Sequence, residues 1–399
     1  TGDCEFDAVT VSGGDTLDLN GQRMECSGNF TASSGTCNVD FGAGMLIAPR
    51  MNIDSGTYTG EAGASFIVTG SSGGENITFQ DSTFTGDSTT NILINNGTTS
   101  VDWLNSNDYV GNLIIGSGTY RSLAPYDNRC GNLTIATGGT LDAQDDEITV
   151  AGDFTTSGGL LGASALTLDG GSPASKYVSC NDTVLNGATT FTIEAWIKPD
   201  VNNIRQHIID ARDSGSDGTA LSLVNQTIRF RINSDDLITD NVITTTGRWY
   251  HIAATRDSSN VTKIYVDGKL VKQGSSTASI SISQNLRIGA LSYAPINEGF
   301  DGSIDEVRIW NDERSPTEIR NNMFSEITSV GSDLILYAKF NEGTGNPVDS
   351  GTNTRTLTAT GDVWAGAGNF DYDDSTLVFA KSGTQTFTYN VGGEDVNNL

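Results

Sequence analysis

Proline, histidine and basic residues are scarce in this chain. In 399 residues there are 7 prolines, only two histidines (His207 and His251), and 22 lysines and arginines against 49 aspartates and glutamates. The net charge is −27. Such a field repels polyanions, so nucleic acid and anionic membrane surfaces are poor partners. It keeps a crowded extracellular protein soluble and suits divalent cations. No apolar run approaches the ~18 residues of a bilayer-spanning helix, so no membrane insertion is expected. No signal peptide precedes the chain, which starts at Thr1; this reads as a removed leader or as part of a longer polypeptide. Neither Gly-x-Ser-x-Gly nor His-Glu-x-x-His occurs, and two histidines leave little material for acid–base or nucleophilic chemistry. Cysteines stand at 4, 26, 37, 130 and 180, without the paired C-x-x-C spacing of a zinc site. Cys26 and Cys37 flank a turn and could pair across it, whereas Cys4 could meet Cys130 only through tertiary contact. Burial as small thiols in strands is the competing reading.

What is abundant is glycine, at 47 residues, with Ser, Thr, Asn and Asp between short aromatic and β-branched runs. That is an all-β composition. Residues 7–36 (DAVTVSGGDTLDLNGQRMECSGNFTASSGT) and 131–160 (GNLTIATGGTLDAQDDEITVAGDFTTSGGL) align without a gap at an offset of 124. Turn glycines, a Thr-Leu-Asp triplet and the inward apolar positions coincide. A shorter period lies within: VGNLII at 110–115 is followed 20 residues later by CGNLTI at 130–135. A period near 20 with strand–turn content fits the rungs of a β-solenoid, each stacking on its neighbours. Small β-sandwiches are the alternative. The pattern resumes at 376–379 and 386–389, and VNNL at 396–399 echoes CGNL at 130–133, as a third copy would begin. The outer segments, 1–162 and 348–399, are therefore expected to be a repetitive β-scaffold that continues beyond the chain.

Between them, residues 163–347 follow a different pattern. FTIEAWIKP (191–199) and RWYHIAATR (248–256) alternate as strands. YVDGK (265–269) carries the Asp-Gly of a tight hairpin. FDGSIDEVRIW (300–310) is followed by Ser315-Pro316-Thr317-Glu318-Ile319, an N-cap, a proline at the first helical position and an acidic first turn. These motifs, in this order, resemble the laminin-G-like, concanavalin A-like jelly-roll family. The resemblance implies a β-sandwich of two antiparallel sheets, usually without catalysis, which binds glycans or proteins at its loop rims, often with Ca2+. The fold class expected is thus all-β: a concanavalin A-like jelly roll flanked by solenoid-like segments. The Glu-x-Asp-x-x-Glu arrangement of concanavalin-like glycosidases is absent, and the adjacent Asp305 and Glu306 would point to opposite faces of a strand.

Calcium takes oxygen ligands, and the family's metal often sits on a rim aspartate preceding a strand. Asp217 matches that placement. Asp169 and Asp305 form a second candidate pair, because first and late strands of a jelly roll can lie adjacent. Turn capping by Asp competes for each. Trp196, Trp249 and Trp310 alternate within strands and read as core, whereas Tyr293 and Phe300 are the candidate sugar-stacking rings. The function expected is a non-enzymatic surface or adhesion protein that binds a glycan or a cell-surface protein, as a homo-oligomer or larger assembly. The combination is similar to phage fibre or capsid-decoration proteins and to secreted bacterial adhesins. An accessory region of a polysaccharide-degrading enzyme is the third reading. An extracellular, virion-surface or cell-surface location goes with all three.

Overall fold

A computed structural model describes residues 3–60, 63–70, 75–85, 90–103, 110–122, 128–142, 147–366, 369–371, 376–379 and 387–388. The chain divides into two compact units, Thr1–Ala163 with Gly366–Leu399, and Ser164–Ala365.

The first unit is a β-solenoid of about 5 turns. Its described ladders are parallel, and they join residues one rung apart. Val110 pairs with Cys130, Cys130 with Val150, and Val150 with Phe379. The two sequence copies fold alike. Cys4–Phe6 pairs with 24–26 just as 128–130 pairs with 148–150, and Val9 faces Phe30 as Leu133 faces Phe154. Inward positions such as Phe30, Ile53, Leu133 and Phe154 are fully buried in one continuous core. Parallel stacking of equivalent positions favours a solenoid over small antiparallel sandwiches. It also places like on like. Asn91, Asn112 and Asn132 form a ladder in which Asn112 Nδ2 donates to Asn91 Oδ1 at 2.9 Å and Asn132 Nδ2 to Asn112 Oδ1 at 2.8 Å. Asp153 N closes the ladder on Asn132 Oδ1 at 2.8 Å. Gly152 stands beside it because a Cβ there would lie 2.1 Å from Asn132 Oδ1.

All five cysteines are free thiols, so neither Cys26–Cys37 nor Cys4–Cys130 is bridged. Cys26 instead faces Phe6 in the ladder, and Cys37 Sγ lies 3.4 Å from Tyr58 Oη. Complete burial pushes the Cys130 thiol up to about 12. The expected third copy at 396–399 falls outside the described residues.

The second unit is a sandwich of two antiparallel sheets. One runs Leu166–Asp169, Asp301–Trp310, Phe191–Pro199, Tyr250–Arg256, Val261–Val266 and Lys269–Ser275, with Leu334–Ala338 also paired to Asp301–Trp310. The other runs Asp235–Ile238, Thr227–Ile232, Thr219–Val224, Arg205–Ala211, Arg287–Ile288, Tyr177–Cys180 and Leu357–Thr360. Inward residues of both sheets, among them Phe191, Ile209, Phe230, Ile252 and Ile309, close the core. The Asp267-Gly268 turn has φ of 47° and 72°, the left-handed pair a two-residue hairpin requires. The single described helix, α1 (Pro316–Asn322), begins with the capping box of Ser315 and Glu318. The sandwich does not stop at 347. Leu357–Thr360 pairs with Tyr177–Cys180, and Trp364 bridges to Leu166, so 348–365 belongs to this unit rather than to the scaffold.

Candidate functional site

The Arg205–Ala211 strand has a bulge at Ile208, where its register against Thr219–Val224 slips. A bulge resets the side-chain alternation. Ile208 and Ile209 both enter the core, while His207 and Asp210 share the outward face, with His207 Nδ1 3.1 Å from Asp210 Oδ2. Opposite them in register stand the small Ser222 and Ala220, and beyond those Arg229 and Arg231.

The loop over residues 290–299 lies along this polar row and is fastened at both ends. Ser292 N donates to Asp210 Oδ1 at 3.2 Å, and Arg212 N donates to Ser292 Oγ at 2.8 Å. At the other end His207 N donates to Glu298 O at 3.0 Å, and His207 Nε2 meets Glu298 Oε2 at 2.8 Å. The hydrogen bond from His207, with the charge of Arg205 and Arg212 behind it, holds the Glu298 carboxyl below its usual range against the effect of burial. Between these anchors Tyr293 lays its ring 5.5 Å from the Arg212 guanidinium. Its Oη lies 3.7 Å from where a Cβ on Gly215 would stand. The loop over 213–217 is set by Asp213, which accepts from Ser283 N and Gln284 N at 2.8 and 2.7 Å, and by Arg231, whose Nη1 donates to Gly215 O at 2.5 Å. A half-buried aromatic ring thus stands beside hydroxyls, a carboxylate and guanidiniums.

The residues singled out in the sequence are dispersed. Tyr293 and the exposed Asp217 come from loops that meet at Gly215; Asp217 accepts from Ser214 Oγ at 2.9 Å, a turn-capping contact. Phe300 is 0% exposed in the sandwich core and presents no ring to a ligand. Asp169 and Asp305 do not meet. Asp169 faces Asp301 in register, and Asp305, four residues on, is buried opposite Trp196 with its Oδ1 accepting Glu306 N at 2.9 Å. Four residues of strand separate the two by ~13 Å. Burial and the neighbouring Asp200 and Asp169 raise the Asp301 carboxyl. Among the described residues no three His, Cys, Asp or Glu side chains converge in a metal-holding arrangement.

Sequence reasoning missed a buried charge network on the other sheet. Arg308 faces Glu194 in register and meets Glu306 Oε2 at 2.5 Å, which also accepts from Tyr337 Oη at 2.5 Å. Trp310 Nε1 donates to Glu194 Oε1 at 2.7 Å, and Trp196 Nε1 to Met323 O at 2.7 Å. Burial, and then the charge of Arg308, pushes His251 down to about 3, so this histidine is neutral. Burial raises Glu194 and Glu306, opposed in both by Arg308. The network is sealed from solvent and is architectural. Its signal was the alternation itself: Glu194 and His251 occupy positions flanked on both sides by buried apolar residues.

Residues 169–320 match the Laminin_G_3 family model, described as the concanavalin A-like lectin/glucanases superfamily. No curated protein matches the chain. Among solved structures, a Bacteroides ovatus protein whose name proposes carbohydrate binding is 21% identical, with a TM-score of 0.42, over 50% of this chain and 58% of that one. The chain therefore spans little more than half the length of that relative. The CBM40 domain of Ruminococcus gnavus IT-sialidase, solved with α2,3-sialyllactose, is 16% identical with a TM-score of 0.32, over 38% of this chain and 95% of that one.

Proposed function

We propose that the sandwich Ser164–Ala365 is a non-catalytic saccharide-binding domain carried on a repetitive solenoid. The observation that carries this reading is the loop over 290–299, fastened at both ends to the row of His207 and Asp210 so that Tyr293 is held beside the loop of Asp217. Saccharide sites pair an aromatic face, which packs on the C–H side of a sugar ring, with a few fixed polar groups for its hydroxyls. The match of 169–320 to a lectin and glucanase superfamily agrees with it. Both histidines are engaged structurally, His207 between two carboxylates and His251 in the sealed network, which favours binding over catalysis. Among the described residues no helix is long and apolar enough to cross a membrane. Display on a virion or a bacterial surface, as one copy of a larger assembly, is the setting that an acidic scaffold bearing a binding domain suits best.

The test is calorimetric titration of the full chain with oligosaccharides chosen from a glycan array. Tyr293→Ala is expected to lower affinity about tenfold or more, equivalent to ~1.4 kcal/mol, with the melting temperature kept. Failure of the wild-type chain to bind any glycan on the array sinks the reading.

A further inference from the structure

A cavity of about 140 Å³ opens at the edge of the sandwich between Asp235–Ile238 and Lys269–Ser275. Leu237, with the almost fully buried Phe230 and Ile232 beneath it, lines its apolar side, while Asp235, Thr262, Ser275 and Ser276 supply oxygen atoms around it. Asp235, Asp236 and Ser275 are exposed, so the mouth meets solvent. Its size is that of a single six-membered ring, since a cavity of about 150 Å³ holds benzene. Gly274 lines it without a side chain, and a Cβ there would lie 2.8 Å from Leu237 Cδ1.

The charges around the cavity define what it accepts. Asp236 already meets two guanidiniums, Arg229 Nη2 at 2.5 Å and Arg231 Nε at 2.9 Å. Asp235 accepts from Ser276 Oγ at 2.7 Å and lies within the field of Arg256. Each carboxylate therefore has its countercharge and makes no demand for a cation; Asp236 shares the far face of the strand with Arg231, while Asp235, on the cavity side, has lone pairs left to accept from a hydroxyl. An anionic ligand would face the Asp235 carboxylate, and a purely apolar one would strand the polar mouth. A neutral ring with hydroxyls along its rim and C–H groups on its face satisfies both surfaces. The strand at Asp236 links the cavity to the Tyr293 region, because on its far face the Asp236 carboxylate meets Arg231, which donates to Gly215 O.

Building on the saccharide-binding reading, we infer that this edge cavity seats one neutral sugar residue of the bound glycan, with Asp235 accepting a hydroxyl and Leu237 packing against its ring. The test uses the full chain with uncharged and uronate-bearing oligosaccharides of matched length. Gly274→Val fills the cavity from below, and Ser275→Tyr, at an exposed position, blocks its mouth. Each is expected to weaken binding of the uncharged glycan at least tenfold, and the Leu237 methyl resonances of the wild-type protein are expected to shift when that glycan is added. Unchanged affinity in the folded Ser275→Tyr chain, stationary Leu237 methyls, or preference for the uronate-bearing glycan overturns the cavity assignment. If Tyr293→Ala still abolishes binding in that case, the saccharide reading stands without it; if the wild-type chain binds neither glycan, both fall.

Discussion

The two units handle charge in opposite ways. Residues 164–365 contain 17 of the 22 basic side chains against 24 acidic ones, whereas the remaining chain has 5 basic and 25 acidic. The sandwich is nearly balanced, and most of the net charge of −27 belongs to the solenoid. The difference follows from how strands stack. In a parallel solenoid equivalent positions lie one above another at ~4.8 Å, so a buried charge would meet its like on the next rung. Among its described residues the solenoid buries few charges, Arg23 beside Glu25 and Asp142 beside Arg121, and relies on neutral polar groups such as Asn91 in its ladder with Asn112 and Tyr58 Oη on Ala32 O. Antiparallel strands bring unlike positions together. The sandwich can place Arg308 opposite Glu194 and bury both.

The largest test of this contrast is Arg308→Met. Removing the guanidinium leaves Glu194 and Glu306 buried without their cation, a loss of roughly 3–5 kcal/mol. Urea unfolding followed by Trp fluorescence, to which the sandwich contributes Trp196, Trp249, Trp310 and Trp364 and the solenoid Trp103, should show a destabilised sandwich. The solenoid, followed by hydrogen exchange at Leu133 and Ile135, should be unchanged. Equal loss in both units would mean that they do not unfold independently. Acid is the next test. His251 takes its proton in the unfolded chain near pH 6.5 but in the fold only at about 3. Below 6.5 the unfolded state binds a proton that the folded state refuses, so this group costs up to about 1.4 kcal/mol per pH unit as pH falls toward 3. Glu194 and Glu306, raised by burial, act in the opposite sense: their contribution is lost as pH climbs above 4.5 through their folded values. The comparison of wild type with His251→Gln between pH 6.5 and 4.5 isolates the histidine, and identical slopes would remove it from the account.

Repetition was the most legible property of the chain, because in a stacked fold the sequence period is the geometry. The offset of 124 reappears residue for residue in the ladders of Val9 with Phe30 and Leu133 with Phe154. Short-range chemistry was legible too: the Asp267-Gly268 hairpin and the Ser315–Glu318 capping box involve only neighbours in sequence. Pairings across long separations were not. Whether Asp169 faces Asp301 or Asp305 is a matter of register between strands some 130 residues apart, and only packing decides it. The return of Leu357–Thr360 to Tyr177–Cys180 was hidden for the same reason. The site region was obscured by the bulge at Ile208, which breaks the period of two that the alternation relies on and brings His207 beside Asp210. Phe300 looked available because it ends a loop, yet its N–H donates to Gly289 O and its ring turns into the core.

Smaller effects sharpen the contrast from each side. In the solenoid, Asn112→Ala removes the ladder bonds to both Asn91 and Asn132. A net loss of about 1–2 kcal/mol is expected, seen as faster hydrogen exchange across Val110–Ser122 and its neighbours, with the sandwich unmoved. Asn112→Asp should cost more, because it gives up the donor to Asn91 and adds a charge between neutral rungs. The smallest change belongs to Lys198. Its ammonium lies 5.5 Å from the centroid of the Trp249 ring, and burial, opposed by Asp200, pushes it down to about 8. Between pH 8 and 10.5 the folded lysine is neutral while the unfolded one still holds its proton, so wild-type stability rises across that window as the cost of the buried charge is lifted. Lys198→Met should therefore be more stable than wild type at pH 7, by about 1 kcal/mol, with the gain shrinking toward pH 10.5. A gain that stays constant with pH would assign the effect to packing on Trp249 rather than to charge.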